Sequence, residues 1–246
     1  MIVEIIAATV LVSLISLVGV FLLSLKKKTM EATTFVILAF ATGSLLGAAF
    51  LHLIPEMVEG MEPHDILPWV VASMLLFYLL EHLLHWHHEH HDHTTHEKPL
   101  AYLVLLGDGV HNFFDGIAIS AAFLTSPEIG ITATIAIMLH EIPQEVSDFT
   151  LLIYAGFSRA KALATNLLSG LTAVLGAISF FYLSELVEGL ELFGLAFAAG
   201  GFVYIASTDL LPELHKERKG TKAILQFIAV LAGVLMMWVL STGHGH

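Results

Sequence analysis

The sequence predicts an all-α membrane protein in which eight transmembrane helices surround a polar central pair. Of its 246 residues, 57% are hydrophobic and 13% are charged, and the mean hydropathy is +0.83. A soluble domain has about 25% charged residues. Apolar stretches of about 20 residues, the length that crosses a bilayer as a helix, follow one another along nearly the whole chain. We therefore expect a single polytopic membrane domain over residues 1–246.

The eight apolar stretches, numbered spans 1 to 8, are separated by short polar breaks. Their approximate limits are 2–25, 33–56, 66–86, 99–124, 128–156, 160–183, 190–212 and 222–242. Span 1 is not expected to be a cleaved signal peptide, because its start, Met1 to Glu4, has no basic residue and its basic cluster follows the apolar run. A His-rich loop, about 87–98, follows span 3.

The basic residues predict the orientation of the chain. All ten fall in alternate loops: Lys26, Lys27, Lys28, Lys98, Arg159, Lys161, Lys216, Arg218, Lys219 and Lys222. The other loops carry acidic residues, such as Glu59, Glu62 and Asp65. Because loops rich in Lys and Arg face the cytoplasm, both termini are expected to be extracytoplasmic.

A short repeat relates the ends of spans 2 and 7. His52-Leu-Ile-Pro-Glu56 is similar to Asp209-Leu-Leu-Pro-Glu213, and the two spans cross in opposite directions. Corresponding segments of opposite direction are typical of inverted-repeat transporters. The repeat predicts that spans 1–3 are related to spans 6–8 around spans 4 and 5, although the preference of helix ends for proline is an alternative explanation.

The composition excludes several kinds of site. Without cysteine the chain has no disulfide, thiolate zinc site, iron–sulfur cluster or cysteine nucleophile. The net charge is −12 and only ten residues are basic, so no basic surface is large enough to neutralise a row of phosphates. No nucleic-acid partner is therefore expected. Fifteen histidines indicate transition-metal chemistry instead, because neutral imidazole is a common metal ligand.

Spans 4 and 5 carry ionisable and amide side chains at matching depth. They are Asp108, His111, Asn112, Asp115, His140, Glu141, Gln144, Glu145 and Asp148. Such groups are costly at the bilayer centre unless they are paired, hydrated or bound to an ion. Side chains four residues apart share a helix face, so His111 lies with Asp115 and His140 with Gln144. We expect a metal site at the midplane. A polar network that only joins the two helices is the alternative.

These residues resemble the motifs of the ZIP family of divalent-metal transporters. The segment from His111 to Gly116 is similar to the motif HNxxDG, and the segment from His140 to Glu145 is similar to HExPHE, which marks one subfamily. The resemblance implies a multi-pass protein of the plasma or inner cell membrane. It further implies transport of Zn²⁺, or of Fe²⁺, Mn²⁺ or Cd²⁺, into the cytoplasm by an elevator-like movement of the metal-bearing helices.

The resemblance also implies a binuclear metal centre. Its primary site would use His111, Asp115, His140 and Gln144. Asn112 and Glu141 would hold the second ion or a transit position, and Glu145 is a further candidate. Two residues depart from the family pattern: Gln144 stands where the subfamily has histidine, and Ala173 where some members have a carboxylate. We therefore expect the second ion site to be weak or empty.

Two other kinds of metal protein share some of these features. An intramembrane zinc protease needs His-Glu-x-x-His, but here the fifth residue is Gln144, and Pro143 intervenes. A cation-diffusion exporter has six spans and a soluble cytoplasmic domain. We therefore expect a transporter and not an enzyme, with divalent metal ions and the lipid bilayer as partners. The sequence neither requires nor excludes a homodimer.

Two further groups of residues are candidates for handling metal outside the central site. The stretch from His82 to His96 contains eight histidines, which predicts capture or sensing of metal that leaves the pore; incidental affinity of a solvated loop is the alternative. His52 and Glu56, near the outer end of span 2, are candidates for admitting ions, with a helix-end polar pair as the alternative.

Overall fold

The computed structural model describes residues 1–18, 27–89, 97–216 and 220–242, which form helices with no strand among them. We number eight helical rods in chain order. Rod α1 is Ile2–Ser13 followed by a 3₁₀ turn, Leu14–Leu17; α2 is Lys27–Ala48, a π-helical turn, Ala49–Leu53, and Ile54–Gly60; α3 is Pro63–Glu89; α4 is Glu97–Thr125; α5 is Pro127–Tyr154; α6 is Arg159–Gly170 and Thr172–Ser184; α7 is Leu190–Ile205, a π-helical turn, Ala206–Leu210, and Leu211–His215; α8 is Thr221–Thr242.

Within the described parts of the chain, five of the rods are long and apolar enough to cross a membrane. They are Thr33–Gly60, Pro63–Leu83, Arg159–Ser184, Leu190–His215 and Thr221–Ser241. The apolar part of α1 is shorter, and α4 and α5, which carry the ionisable residues, are not among the five. The all-helical fold is thus confirmed, and each predicted span falls on one rod. That all eight rods cross the membrane, with extracytoplasmic termini, stays a prediction.

Local sequence explains where α5 begins, and the helix continues past an internal proline. The Ser126 side chain accepts a hydrogen bond from the backbone N–H of Ile129 at 3.2 Å, and Pro127 is the first helical residue, where its missing N–H costs nothing. Pro143 lies inside α5, but the helix extends to Tyr154. The proline therefore does not end the helix that carries His140.

The rods pack in two groups of four. In the first group, α4 packs against α5 and α6, and α1 packs against the same two rods. In the second group, α2 packs along α8 and α7 packs along α3. The groups meet where α2 contacts α5 and where α7 contacts α4. The rods with the predicted metal ligands, α4 and α5, thus lie at the boundary between the two groups.

The crossing of α4 and α6 depends on glycine in both rods. A Cβ atom on Gly116 would lie 1.9 Å from the carbonyl oxygen of Ala173, and one on Gly176 would lie 2.0 Å from that of Phe113. The two backbones therefore touch, which only a residue without a side chain permits. Ala173 is buried and serves this contact.

The largest apolar core among the described residues lies mainly in one half of the bundle. It contains buried residues such as Leu45, Leu53, Ile119, Phe123 and Ile137. These residues belong to the C-terminal halves of α2 and α4 and to the N-terminal half of α5. The half of the bundle that is predicted to face outward is therefore sealed by close apolar packing.

Candidate metal centre

Two imidazoles and two carboxylates from α4 and α5 face one another near the middle of the bundle. The Nε2 atoms of His111 and His140 are 3.1 Å apart, and Glu141 Oε1 lies 3.3 Å from each of them. Asp115 Oδ2 lies 3.7 Å from His111 Nε2 and 3.5 Å from His140 Nε2. Asp115, His140 and Glu141 are buried, and the side chain of His111 is 18% exposed. We call these four residues the His–acid cluster.

The spacing of the His–acid cluster suits one tetrahedral zinc ion. Ligand bonds of about 2.0–2.1 Å at tetrahedral angles place neighbouring ligand atoms about 3.3 Å apart. Moreover, the buried Asp115 Oδ2 and Glu141 Oε1 accept no hydrogen bond in the structure. Buried charged oxygens without partners are costly, and a cation between them and the imidazoles would remove that cost. Nitrogen and oxygen donors without sulfur also suit Fe²⁺ and Mn²⁺.

A backbone contact orients the His140 imidazole toward the other three side chains of the His–acid cluster. His140 Nδ1 lies 3.4 Å from the carbonyl oxygen of Ala136, one turn earlier in α5. A proton on Nδ1 donated to that carbonyl leaves the lone pair of Nε2 directed into the cluster. The ring planes of His111 and His140 are 80° apart, with centroids separated by 5.3 Å.

A second group, composed of carboxylates only, adjoins the first. Its members are Asp108, Glu141 and Glu145, which are all buried and each offer an oxygen within 4.8 Å of the others. Asn112 Nδ2 donates to Asp108 Oδ1 at 2.8 Å, and Ser169 Oγ of α6 donates to Asp108 Oδ2. Asn166 Nδ2 of α6 donates to Glu145 Oε2. Glu141 belongs to both groups, so the two are continuous.

The seven predicted site residues all lie in this region, in different settings. Four of them form the His–acid cluster: His111, Asp115, His140 and Glu141. Glu145 belongs to the carboxylate group, Asn112 bonds to Asp108, and Gln144 lines an adjoining cavity. Glu141, which the family resemblance assigns to the second ion, is the α5 carboxylate that the described residues place beside both imidazoles. Gln144 as a primary ligand stays a prediction.

Sequence reasoning left three residues of the region out of the site. Asp108 lies one turn before Asn112 on α4, so its helical spacing was a usable signal. Asn166 and Ser169 come from α6, which crosses α4 at the glycine contact. No spacing along the chain relates α6 to α4 or α5, so these two were not predictable from the motifs.

A cavity of about 320 Å³ borders the region. Its α4 and α5 walls include Asp108, His111, Gln144 and Asp148; its α3 and α7 walls include Glu81, Tyr204 and Asp209. These positions lie in the N-terminal part of α4 and in the C-terminal parts of α3, α5 and α7. The cavity thus extends from the His–acid cluster toward the ends of the rods that adjoin the basic loops.

The chain is similar to known zinc transporters. The family model described as ZIP zinc transporter matches residues 2–101 and 87–241. Zinc transporter ZIP13 of Pongo abelii is 36% identical over 221 residues, which cover 83% of this chain and 66% of that protein. ZIP13 of Mus musculus is 33% identical (83% and 69% covered), and zinc transporter zipt-7.2 of Caenorhabditis elegans is 29% identical (96% and 64% covered). The chain therefore spans about two thirds of the length of these relatives.

Proposed function

The chain belongs to the ZIP zinc transporter family, and on this premise we propose that it carries divalent transition-metal ions, zinc first among them, into the cytoplasm. The observation that carries the proposal is the His–acid cluster, whose nitrogen–nitrogen and nitrogen–oxygen separations of 3.1–3.7 Å suit one zinc ion. The family is one of transporters and its relatives are named as zinc transporters, which leaves the protease and exporter alternatives without support.

The proposed primary site is the His–acid cluster, with Gln144 available from the cavity wall. The proposed second or transit position uses Asn112, Glu141 and Glu145 together with Asp108. Because this position offers only oxygen atoms, it would hold zinc less firmly than a site with two imidazoles. An ion that moves from the first position to the second would then be easier to release.

The proposed direction of release is toward the cytoplasm. The cavity extends toward the ends of α3, α4, α5 and α7 that adjoin the loops with basic residues, and such loops face the cytoplasm by the positive-inside rule. The opposite half is closed by the apolar core. We interpret this conformation as open to the inside, with Asp148 and Asp209 along the path toward the His-rich loop.

The helix packing supports the proposed inverted repeat and elevator-like movement. Under the proposed repeat, α2 corresponds to α7, α3 to α8 and α4 to α5. The α2–α8 contact then corresponds to the α7–α3 contact, and the α2–α5 contact corresponds to the α7–α4 contact. The group formed by α1, α4, α5 and α6 would carry the metal, and the backbone contact between α4 and α6 would keep that group rigid. The other four rods would form the frame.

We place the protein in the plasma or inner cell membrane as a multi-pass protein with extracytoplasmic termini. Fe²⁺, Mn²⁺ and Cd²⁺ are the expected competitors of zinc. The homodimer that the sequence allows stays a prediction.

Two substitutions in α5 test which side chains hold the primary ion. We expect Glu141→Gln to weaken zinc binding in detergent by at least about tenfold, because it removes a charged oxygen shared by both groups, and Gln144→Ala to weaken it less. Binding is measured by competition with a fluorescent chelator, and uptake in proteoliposomes loaded with a zinc indicator. A larger loss in Gln144→Ala than in Glu141→Gln would instead favour the ligand set that the resemblance implies, in which Gln144 is a primary ligand.

Deleting residues 87–96 tests the His-rich loop, of which 90–96 lie outside the described residues. We expect zinc uptake to be reduced or less tightly regulated but to persist, because none of the four residues of the His–acid cluster is in the deleted segment. Replacing the same residues with a Gly/Ser linker of equal length controls for chain connection. Complete loss of uptake in both variants would mean that essential ligands lie in the loop.

A further inference from the structure

Rods α2 and α7 contain the same local structural motif. Each has a five-residue π-helical turn, Ala49–Leu53 in α2 and Ala206–Leu210 in α7, followed two residues later by proline and then by glutamate. The turns match at their first and last residues. The fourth residue differs: it is His52 in α2 and Asp209 in α7. Such π-helical turns are rare and occur mostly at functional sites.

The two fourth residues have opposite surroundings. Asp209 lines the cavity on the open side of the bundle, where Thr208 Oγ1 donates to its Oδ1 at 2.9 Å. His52 is only 7% exposed, in the closed half, and its Nε2 lies 2.7 Å from the carbonyl oxygen of Met237 in α8. When Nε2 donates its proton to this carbonyl, this nitrogen has no free lone pair with which to bind a metal ion.

The partner rods are equivalent as well. On the open side, Tyr204 of α7 donates to Glu81 of α3; on the closed side, His52 of α2 bonds to α8. Since α7 packs along α3 as α2 packs along α8, the partner rods correspond, and a different position bridges each pair: Tyr204 in α7 and His52 in α2. In inverted-repeat transporters, the arrangement that opens one side of the membrane is adopted by the equivalent helices when the other side opens.

We propose that His52 is a metal ligand at the outer entrance, used when the transporter opens outward. In that state the His52 imidazole leaves the Met237 carbonyl, and its Nε2 binds the arriving transition-metal ion, as Asp209 meets the departing ion on the inside. Glu56, one turn further along α2, adds negative charge beside it. This inference rests on the proposed function and adds a residue outside the central site.

The chemistry of the two positions fits opposite tasks. Imidazole binds zinc, copper, iron and nickel, whereas carboxylates also suit Mg²⁺ and Ca²⁺. An imidazole at the entrance therefore selects transition metals from an outside solution rich in hard cations. Asp209 at the exit is a harder ligand. It need not select among cations, and it retains zinc less firmly.

Two replacements of His52 separate a metal ligand from a structural hydrogen bond. Glutamine keeps an N–H donor for the Met237 carbonyl but is a weak zinc ligand, whereas cysteine is a strong zinc ligand and a weak donor. We expect His52→Gln to raise the KM of zinc uptake by about tenfold, with zinc binding to the His–acid cluster in detergent unchanged. We expect His52→Cys to keep KM within about threefold of the original protein.

The remaining outcomes overturn the inference. If His52→Gln transports with an unaltered KM, or if both variants lose affinity equally, His52 acts through packing or hydrogen bonding alone. Glu128→Gln, at an exposed acidic position in the first turn of α5, is the control for outer surface charge and should leave KM unchanged. Failure of the original protein to take up zinc would instead contradict the proposed function, so the two failures are distinguishable.

Discussion

Replacing both His111 and His140 with alanine is expected to abolish zinc uptake while leaving the protein folded. The two Nε2 atoms supply both nitrogen ligands of the His–acid cluster, 3.1 Å apart. Without them, Asp115 and Glu141 remain as buried carboxylates with no imidazole to share the ion. We expect zinc affinity to fall by more than about 100-fold, beyond the loss seen when a single supporting group is removed.

Uptake in proteoliposomes and zinc binding in detergent measure this effect, and size-exclusion profiles report folding. The matched control is the double variant His64→Ala and His215→Ala, which removes two exposed histidines outside the bundle centre. It should transport at the original rate. Undiminished flux in the His111 and His140 variant would refute the proposed site.

Replacing Gly116 with alanine is expected to cost about 3 kcal/mol of stability, the upper part of the range for overpacking. Its Cβ would lie 1.9 Å from the Ala173 carbonyl oxygen, so α4 and α6 must separate. Backbone atoms cannot rotate away as a flexible side chain can. Because His111 and Asp115 lie on the displaced rod, zinc uptake should fall together with thermal stability in detergent.

Gly107→Ala on the same rod is the matched control, because nothing lies within 4 Å of a Cβ at that position. There the substitution should be neutral or stabilise α4 by about 0.5–1 kcal/mol, since alanine favours a helix more than glycine does. Equal stability of the two variants would contradict the proposed backbone contact between α4 and α6.

The helices could be predicted well from the sequence because crossing the bilayer constrains both the hydropathy and the length of a segment. A segment that crosses hydrocarbon must be apolar and about 20 residues long, so each predicted span falls on one rod. The ends differ where polar turns extend a helix beyond the apolar run. Span 2 was predicted to end at residue 56, whereas α2 continues to Gly60.

Within the centre, the motifs grouped residues that the structure also brings close together, but they did not predict how these residues are arranged. Helical spacing relates His111 to Asp115 and His140 to Gln144, because it describes faces of single helices. It does not describe how two helices are rotated against each other. The side chain beside both imidazoles is Glu141, adjacent in sequence to His140, and the partners Asn166 and Ser169 come from a third rod.

By itself, the sequence determined the class of protein, the number of helical rods, the seven candidate residues and the two related proline segments. Local composition fixes these, since hydration of apolar and ionisable groups depends on the residue type. Only the tertiary structure decided which nitrogen and oxygen atoms lie within 3.1–3.7 Å of one another, where the apolar core lies, and that His52 contacts α8 whereas Asp209 lines the cavity. These features follow from packing between rods distant in sequence, which depends on shape complementarity and close backbone contact and leaves no periodic signal along the chain.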